Sequence, residues 1–256
     1  MAVQVSVDGD AETHNRFRVF KSGEPTMDRI TPNIEELSRQ GADFNLRAVL
    51  TRQETNPNVV VDALRALGAE KVSFEVVSTD YRDAQLTDAD WEDFHAEYRG
   101  FVRSPYTVWS ELPSEMSSMI IRLCERRRLC YGCGAGVSEV TVAPDGSIYE
   151  CQRMFGDPCG DVRDDRSPAE FDRQFLTPVD ERPICKDCWA RYLCGGGCMH
   201  QSYLGRTDGD PLPQFCVMKR DLAEASIVKI DEIRSLNQVA GNRWDDHLEG
   251  ACTTEP

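Results

Sequence analysis

Long apolar runs are missing from this sequence of 256 residues. Its apolar stretches extend over only a few residues, whereas a helix that spans a bilayer needs about 20. No membrane span is therefore predicted. The first residues also lack the basic segment and the following apolar segment of a secretory signal, so we expect the protein in the reducing cytoplasm. Because 40% of the residues are hydrophobic, the chain still has enough apolar side chains for a globular core.

Basic residues are scarce as well. The chain has 44 Asp and Glu residues but only 29 Lys and Arg residues, which gives a net charge of -15. A nucleic-acid-binding face needs clustered basic side chains that neutralise phosphates, so nucleic acid is not expected as a partner. The acidity either keeps the protein soluble or steers a basic peptide towards it.

Strand and helix patterns alternate from residue 1 to about residue 85. Strands are predicted at three places: 3–7, 44–50 and 71–77. Helices begin near Met27 and Pro57, and Gly41 and Gly68 follow them, as glycine commonly does at a helix C-terminus. Pro32 predicts a kink or a restart of the first helix. The order βαβαβ is typical of a parallel sheet whose strands are joined by helical crossovers.

The pattern changes twice after residue 85. Two helices are predicted up to about residue 128, the first capped by Thr87 and the second running from about Pro113 into Cys124. Beyond them Gly, Pro, Asp and Cys replace long apolar faces until a closing helix near Leu222. A region so poor in core residues needs crosslinks or bound metal. The expected organisation is therefore 1–85, 86–128, 129–240 and a flexible acidic tail, 241–256.

All eleven cysteines lie between Cys124 and Cys252. The densest group has the pattern C-x2-C-x5-C-x3-C, and a further seventeen residues separate it from a fifth cysteine: Cys185, Cys188, Cys194, Cys198 and Cys216. An upstream group precedes it: Cys124, Cys130, Cys133, Cys151 and Cys159. In a reducing compartment such cysteines are metal ligands more often than disulfides.

Both zinc and iron-sulfur clusters fit these cysteines. Zinc takes four thiolates in a tetrahedral site, but zinc ribbons usually pair two short CxxC segments across a spacer. Here four cysteines are crowded into fourteen residues, from Cys185 to Cys198. A four-iron cluster also takes four thiolates, and the number of cysteines suits two such clusters.

The region from about Cys130 to Cys216 resembles a SPASM domain, the C-terminal cluster-binding extension of many radical SAM enzymes. The family motif is Cys, a spacer, Gly, four residues and Cys, followed by C-x2-C-x5-C-x3-C and a last Cys. Twelve residues separate Cys133 from Gly146 and four separate Gly146 from Cys151, so every element is present. The resemblance implies an α/β fold in which the C-terminal part of a partial (β/α)6 TIM-like barrel, here 1–85, precedes a loop-rich, cysteine-ligated SPASM iron-sulfur domain.

The resemblance also implies two auxiliary [4Fe-4S] clusters. One cluster would have four ligands: Cys185, Cys188, Cys194 and Cys216. The other would have three assigned ligands: Cys133, Cys151 and Cys198. Its fourth ligand in the family is usually a cysteine just before the first motif position, which makes Cys130 the choice, Cys124 the second choice and Cys159 a further alternative. Gly195–Gly197 predicts a tight bend around a cluster, and Cys252 is expected to be an unliganded surface thiol.

A second motif lies near the start of the chain. Ser6-Val7-Asp8-Gly9-Asp10, followed by His14 and Arg18, resembles the S-x-D-G-P…H-x-x-x-R segment of the fourth barrel strand in radical SAM enzymes. Asp10 replaces the usual Pro. In that family the segment lines the S-adenosylmethionine pocket, so Ser6 and Asp8, and more weakly Arg47 on the next strand, are candidate cofactor contacts. Alternatively, Asp8-Gly9 caps a strand and Arg47 pairs with a carboxylate.

The radical-generating loop of the family, CxxxCxxC, does not occur in this sequence. We therefore expect the chain to be the C-terminal portion of a radical SAM/SPASM protein, as a gene fragment or as half of a split enzyme. Alone it should not cleave S-adenosylmethionine. Residues 3–7 would then form a bare sheet edge, which predicts self-association or a partner chain that supplies the N-terminal half-barrel.

The resemblance implies a system that modifies a ribosomally made peptide or protein by S-adenosylmethionine radical chemistry. No catalytic residue is predicted. Some sulfatase-maturating enzymes have an acidic residue immediately after the cysteine that corresponds to Cys151, and this chain has Gln152 there, which favours peptide crosslinking over formylglycine formation. Two other functions stay open: a non-catalytic module that transfers electrons or binds peptides through its clusters, and a structural zinc protein.

Overall fold

The computed structural model describes five stretches of the chain: 3–105, 112–156, 158–164, 177–205 and 212–240. For residues 205 and 233–240 it describes the backbone only. The chain divides into two compact units. The first combines Met1–Ile121 with Glu224–Pro256, and the second is Arg122–Ala223. The predicted tail, with Cys252, lies outside the described residues.

A parallel three-stranded sheet organises the first unit. Its strands follow the order of the chain across the sheet: β1 (Val3–Ser6), β2 (Phe44–Leu50) and β3 (Lys71–Val76). Three helices connect the strands: α1 (Ala11–Phe17), α2 (Met27–Arg39) and α3 (Pro57–Ala66). The predicted βαβαβ order is confirmed. Helix α2 runs from Met27 through Pro32 to Arg39, so the expected restart does not occur. Met27 and Ile34, on either side of Pro32, are both buried.

The two faces of this sheet differ in polarity. Along β2 every second side chain is buried, from Phe44 through Leu46 to Leu50. Helix α3 packs against β2 and β3 and buries Leu64 completely, and each such leucine stabilises the fold by about 1.5–3 kcal/mol. The opposite face is polar and half-exposed. The first unit is thus a sheet with one face in the core and one face available for polar contacts.

The two helices predicted after β3 are present at α4 (Asp88–Val102) and α5 (Ser114–Cys124). Thr87 caps α4 as predicted: its hydroxyl accepts the Asp90 N–H at 3.3 Å, and the Asp90 carboxylate accepts the Thr87 N–H at 2.7 Å. This reciprocal arrangement satisfies two N–H groups that the start of a helix otherwise leaves unpaired. Inward, Phe94 of α4 stacks on Tyr98, with ring centroids 5.2 Å apart.

Short elements build the second unit. A small antiparallel sheet, which the sequence did not predict because its strands have only two or three residues, contains β4 (Thr141–Val142), β5 (Ser147–Tyr149) and β6 (Gly160–Asp161). Two short helices and one long helix follow: α6 (Arg191–Cys194), α7 (Met199–Gly205) and α8 (Pro213–Ala240). Helix α8 contains the predicted closing helix. Among the described residues, no helix is long and apolar enough to cross a membrane.

Candidate functional site

The motif at the end of β1 forms one hydrogen-bonded network. The buried Asp8 carboxylate accepts the Arg18 Nε–H at 2.5 Å and the Arg18 Nη2–H at 3.1 Å. It also accepts the backbone N–H of Val49 at 3.0 Å, which connects the end of β1 to β2. Asp8 therefore has the strand-capping role that the sequence left open. Its predicted contact with S-adenosylmethionine stays a prediction.

His14 completes this network in a defined tautomer. It is fully buried, and its Nδ1 accepts the backbone N–H of Asp8 at 3.2 Å. Its Nε2 lies 3.1 Å from the Thr26 hydroxyl oxygen, and that hydroxyl donates to the Arg18 carbonyl oxygen at 2.6 Å. Since the hydroxyl proton is used, Nε2 must donate and Nδ1 must be unprotonated. The imidazole is therefore held neutral.

Acidification below pH 6.5, the ordinary pKa of histidine, is expected to destabilise the protein through His14. Burial lowers the pKa of His14 in the folded protein, while the charge of Asp8 raises it and that of Arg18 lowers it. The unfolded chain therefore binds this proton at a higher pH than the folded chain. This contribution to stability is complete above pH 6.5 and is lost as the pH falls towards the folded-state pKa.

Urea unfolding at several pH values measures this effect. His14→Gln is the matched variant, because an amide at this position retains a donor and an acceptor but does not titrate. The free energy of unfolding should fall more steeply with acidification in the wild type than in this variant. Equal slopes would contradict the assignment.

The other two candidate cofactor contacts lie on the polar face of the sheet. Ser6 and Arg47 are register partners on β1 and β2, and Arg47 is in register with Ser73 on β3. Ser6 is exposed, whereas Arg47 is half-buried and forms an ion pair with Glu75. The predicted pairing of Arg47 with a carboxylate is confirmed. The structure therefore places Ser6 and Arg47 side by side on a solvent-accessible face.

The eight predicted metal ligands all lie in the second unit. Turns and short helices position the C-x2-C-x5-C-x3-C segment: the Cys188 N–H donates to the Cys185 carbonyl oxygen at 2.9 Å, and Cys194 ends α6. Cys198 directly precedes α7, and Cys216 lies in the first turns of α8. Near each other in sequence, Cys130 and Cys133 are both exposed.

Electrostatic interactions divide the thiols into two groups. Burial raises the pKa of Cys216 to about 11, and the nearby side chains of Cys194 and Cys185 contribute to this rise. Cys188 acts in the same direction, so these four cysteines share one neighbourhood. Burial also raises the pKa of Cys198, with a further contribution from Cys133. The first neighbourhood contains the four cysteines predicted to bind one cluster, and the second contains Cys198 and Cys133 of the other predicted set. The ligand assignment stays a prediction.

Cys151 lies close to the second group. It packs against a small apolar cluster formed by Ala135, Met154 and Met199, and Met199 directly follows Cys198. The alternative ligands have other surroundings. Cys159 is buried in the small sheet, where its Sγ–H donates to the Ile148 carbonyl oxygen at 3.4 Å, and Cys124 is the last residue of α5.

A close backbone contact joins the segments that carry the two groups. Gly195, Gly196 and Gly197 have φ values of +69°, +86° and +75°, a left-handed conformation that favours glycine. A Cβ on Gly132 would lie 2.3 Å from the Gly197 carbonyl oxygen, and a Cβ on Gly195 would lie 2.7 Å from the Gly132 nitrogen. The segment between Cys130 and Cys133 therefore lies directly against the loop between Cys194 and Cys198.

A buried arginine, which the sequence analysis missed, supports this loop. Arg182 is only 1% exposed and donates from Nη1 to the Gly196 carbonyl oxygen at 2.9 Å and from Nε to the Thr177 carbonyl oxygen at 2.6 Å. No sequence signal distinguishes it from an exposed arginine, because its burial depends on distant residues.

The donor chemistry fits a thiolate-bound metal centre, although the side chains do not converge on one point as they stand. Within the described residues, no three His, Cys, Asp or Glu side chains form a ready-made metal site. The raised pKa values of Cys198 and Cys216 favour neutral thiols in the absence of a cation, and a bound metal reverses this by stabilising the thiolates. The glycine loop packs so closely against Gly132 and Arg182 that a Cβ on Gly195 or Gly196 would clash with them. The residues present therefore fit a cluster at each group.

Comparison with known proteins identifies relatives that bind S-adenosylmethionine (AdoMet). No protein-family model matches the sequence. The AdoMet-dependent heme synthase of Oleidesulfovibrio alaskensis is 26% identical over 223 residues, which are 75% of this chain and 55% of that protein. The chain thus spans about half the length of this relative.

Solved structures of anSMEcpe share the fold. Hexahistidine-tagged anSMEcpe with bound AdoMet matches 94% of this chain and 67% of that chain, with a TM-score of 0.66 and 19% identity. Native anSMEcpe with bound AdoMet and a Kp18Cys peptide matches 91% of this chain and 69% of that chain, with a TM-score of 0.65 and 16% identity. The predicted mixed α/β fold is confirmed, and the relatives found are an AdoMet-dependent protein and proteins with bound AdoMet. Membership of the radical SAM family stays a prediction. The SPASM domain and the partial barrel stay predictions.

Proposed function

We propose that the second unit binds two auxiliary [4Fe-4S] clusters in a SPASM-type domain. The observation that carries this proposal is the division of the thiols into two neighbourhoods, one around Cys216 and one around Cys198. The first cluster has four ligands: Cys185, Cys188, Cys194 and Cys216. The second has four as well: Cys130, Cys133, Cys151 and Cys198. When bound, such clusters supply electron transfer.

The chain's own residues hold and shield these groups. Phe215, which directly precedes Cys216, and Met199, which directly follows Cys198, are both buried. Apolar neighbours that exclude water from a ligand sulfur affect both the stability and the potential of a bound cluster. The loop Gly195–Gly197 joins Cys194 of the first set to Cys198 of the second, so its geometry affects both.

The substrate we propose is a peptide or protein that S-adenosylmethionine radical chemistry modifies. Two observations support it: the fold is shared with anSMEcpe, and structures of anSMEcpe contain the Kp18Cys and Cp18Cys peptides. The net charge of -15 favours a basic peptide. S-adenosylmethionine itself would bind in the completed enzyme, with Ser6, Asp8 and Arg47 as proposed contacts. Radical generation is not assigned to these residues, because the sequence has no CxxxCxxC loop.

A tetrapyrrole substrate is the competing proposal, since the relative found by sequence is an AdoMet-dependent heme synthase. A fluorescent free-base porphyrin discriminates between the two. Saturable quenching of its fluorescence by the reconstituted protein would favour the tetrapyrrole, and the absence of quenching would favour the peptide.

Iron and sulfide analysis of protein reconstituted without oxygen tests the cluster proposal. We expect about eight irons and about eight sulfides per chain and a broad absorption band near about 400 nm, because each cluster contains four of each atom. A brown protein with this content but without peptide modification in the completed enzyme would support the electron-transfer module instead. Stoichiometric zinc in a colourless protein would refute the proposal in favour of a structural zinc protein.

A further inference from the structure

Arg182 has the largest side chain among the fully buried residues that the structure describes. Its hydrogen-bond partners, the carbonyl oxygens of Thr177 and Gly196, are uncharged. No ion pair joins it to a carboxylate in the described part of the chain, although the protein has 44 acidic residues. Among these residues, the guanidinium therefore has a buried positive charge without a carboxylate counterion.

A buried guanidinium is unfavourable unless negative charge is near. Burial removes the hydration of an ion, and hydrogen bonds to carbonyl groups recover only part of that free energy. Both the guanidinium and the backbone of Arg182 contact segments that carry candidate ligands. Its guanidinium binds the loop between Cys194 and Cys198, and its own carbonyl oxygen accepts the Cys185 N–H at 3.1 Å.

We propose that Arg182 is the buried countercharge of the iron-sulfur site, a positioning residue that raises its reduction potential. This inference rests on the proposed function. A cluster held by four thiolates carries net negative charge, and this charge grows when the cluster accepts an electron. A fixed cation nearby stabilises the reduced form more than the oxidised form, and it also favours thiolates over thiols during assembly.

Three variants separate charge from structure. Arg182→Met removes the charge and keeps a long side chain, whereas Arg182→Lys keeps the charge but loses the planar fork. Arg191→Met is the matched control, because Arg191 is a half-exposed arginine of α6 that pairs with Asp180 at 3.2 Å. Iron content reports whether clusters bind at all. The midpoint potential, from a redox titration monitored by electron paramagnetic resonance, reports the countercharge.

We expect Arg182→Met to shift the midpoint of at least one cluster to a more negative potential, with Arg182→Lys and Arg191→Met close to the wild type. An unchanged midpoint in Arg182→Met at full iron content would overturn the proposal. So would an equal shift in Arg182→Lys, since the two carbonyl contacts rather than the charge would then be responsible.

The metal-free proteins decide the case in which Arg182→Met binds no iron. A metal-free variant that unfolds at the same or a higher urea concentration than metal-free wild type supports the countercharge, because removing an unpaired buried charge does not destabilise that state. An unfolded metal-free variant would overturn the proposal in favour of a structural role. A wild type that binds no iron would instead refute the proposed function itself.

Discussion

Replacement of Cys194 by alanine is expected to remove about half of the iron from protein reconstituted without oxygen. Cys194 belongs to the neighbourhood of Cys216, in which its side chain is the largest contributor after burial to the raised pKa of Cys216. Loss of one of four thiolates should abolish that cluster and leave the other, so about four of about eight irons should remain. Iron and sulfide analysis with the absorption spectrum measures this loss.

Cys159→Ala is the matched control for Cys194→Ala. Cys159 is also a buried cysteine of the second unit, but its sulfur is hydrogen-bonded within the small sheet. The Cys159→Ala variant should retain the full iron content. A loss of iron in this variant would make Cys159 the fourth ligand of the second cluster. Cys198→Ala should lose the other half of the iron, which the second cluster contains. If Cys194→Ala kept all of its iron, the assignment of the first cluster would be wrong.

Replacement of Gly132 by alanine is expected to impair both clusters. A Cβ at this position would lie 2.3 Å from the Gly197 carbonyl oxygen and 3.1 Å from the Gly195 carbonyl oxygen, and these backbone atoms cannot rotate away as a side chain can. The loop between Cys194 and Cys198 must then shift. We expect a stability loss of about 3 kcal/mol or more, together with less than half of the wild-type iron.

Two further glycines separate the steric effect from backbone strain. Gly195 combines a close contact with a φ of +69°, whereas Gly41 has a φ of +65° and no atom within 4 Å of an added Cβ. Gly41→Ala should therefore cost only the conformational penalty, about 1–2 kcal/mol, and leave the iron content unchanged. Gly195→Ala should lose iron. Equal effects of both substitutions would show that the contact with the Gly132 segment has no part in holding the clusters.

Several features could be predicted because their signals are local. Strand β2 was placed at Phe44–Leu50 from its alternating pattern alone, and Thr87 was identified as a helix cap from its position before Asp90. Side-chain periodicity and capping depend on neighbours within a few residues. Helix α2 shows the limit of a local signal: Pro32 predicted a kink or a restart, and the helix continues through it without a restart.

The role of the β1 motif illustrates an intermediate case. Its residues identified a resemblance, yet two interpretations of Asp8 stayed open, because a carboxylate after a strand serves as a cap or as a ligand equally well. The contacts with Arg18 and with the Val49 N–H supply the capping interaction. Val49 is distant from Asp8 in the chain, so no local pattern contains this information.

The candidate ligands and the order of strands and helices were accessible from residue spacing, because cysteine chemistry and backbone periodicity are properties of short segments. Which cysteines are neighbours, why Gly132 must be glycine, and that Arg182 is buried without a carboxylate partner in the described residues depend on contacts between separate segments. Those contacts exist only after the chain has folded, since packing and desolvation act on atoms that are close in space and far apart in sequence.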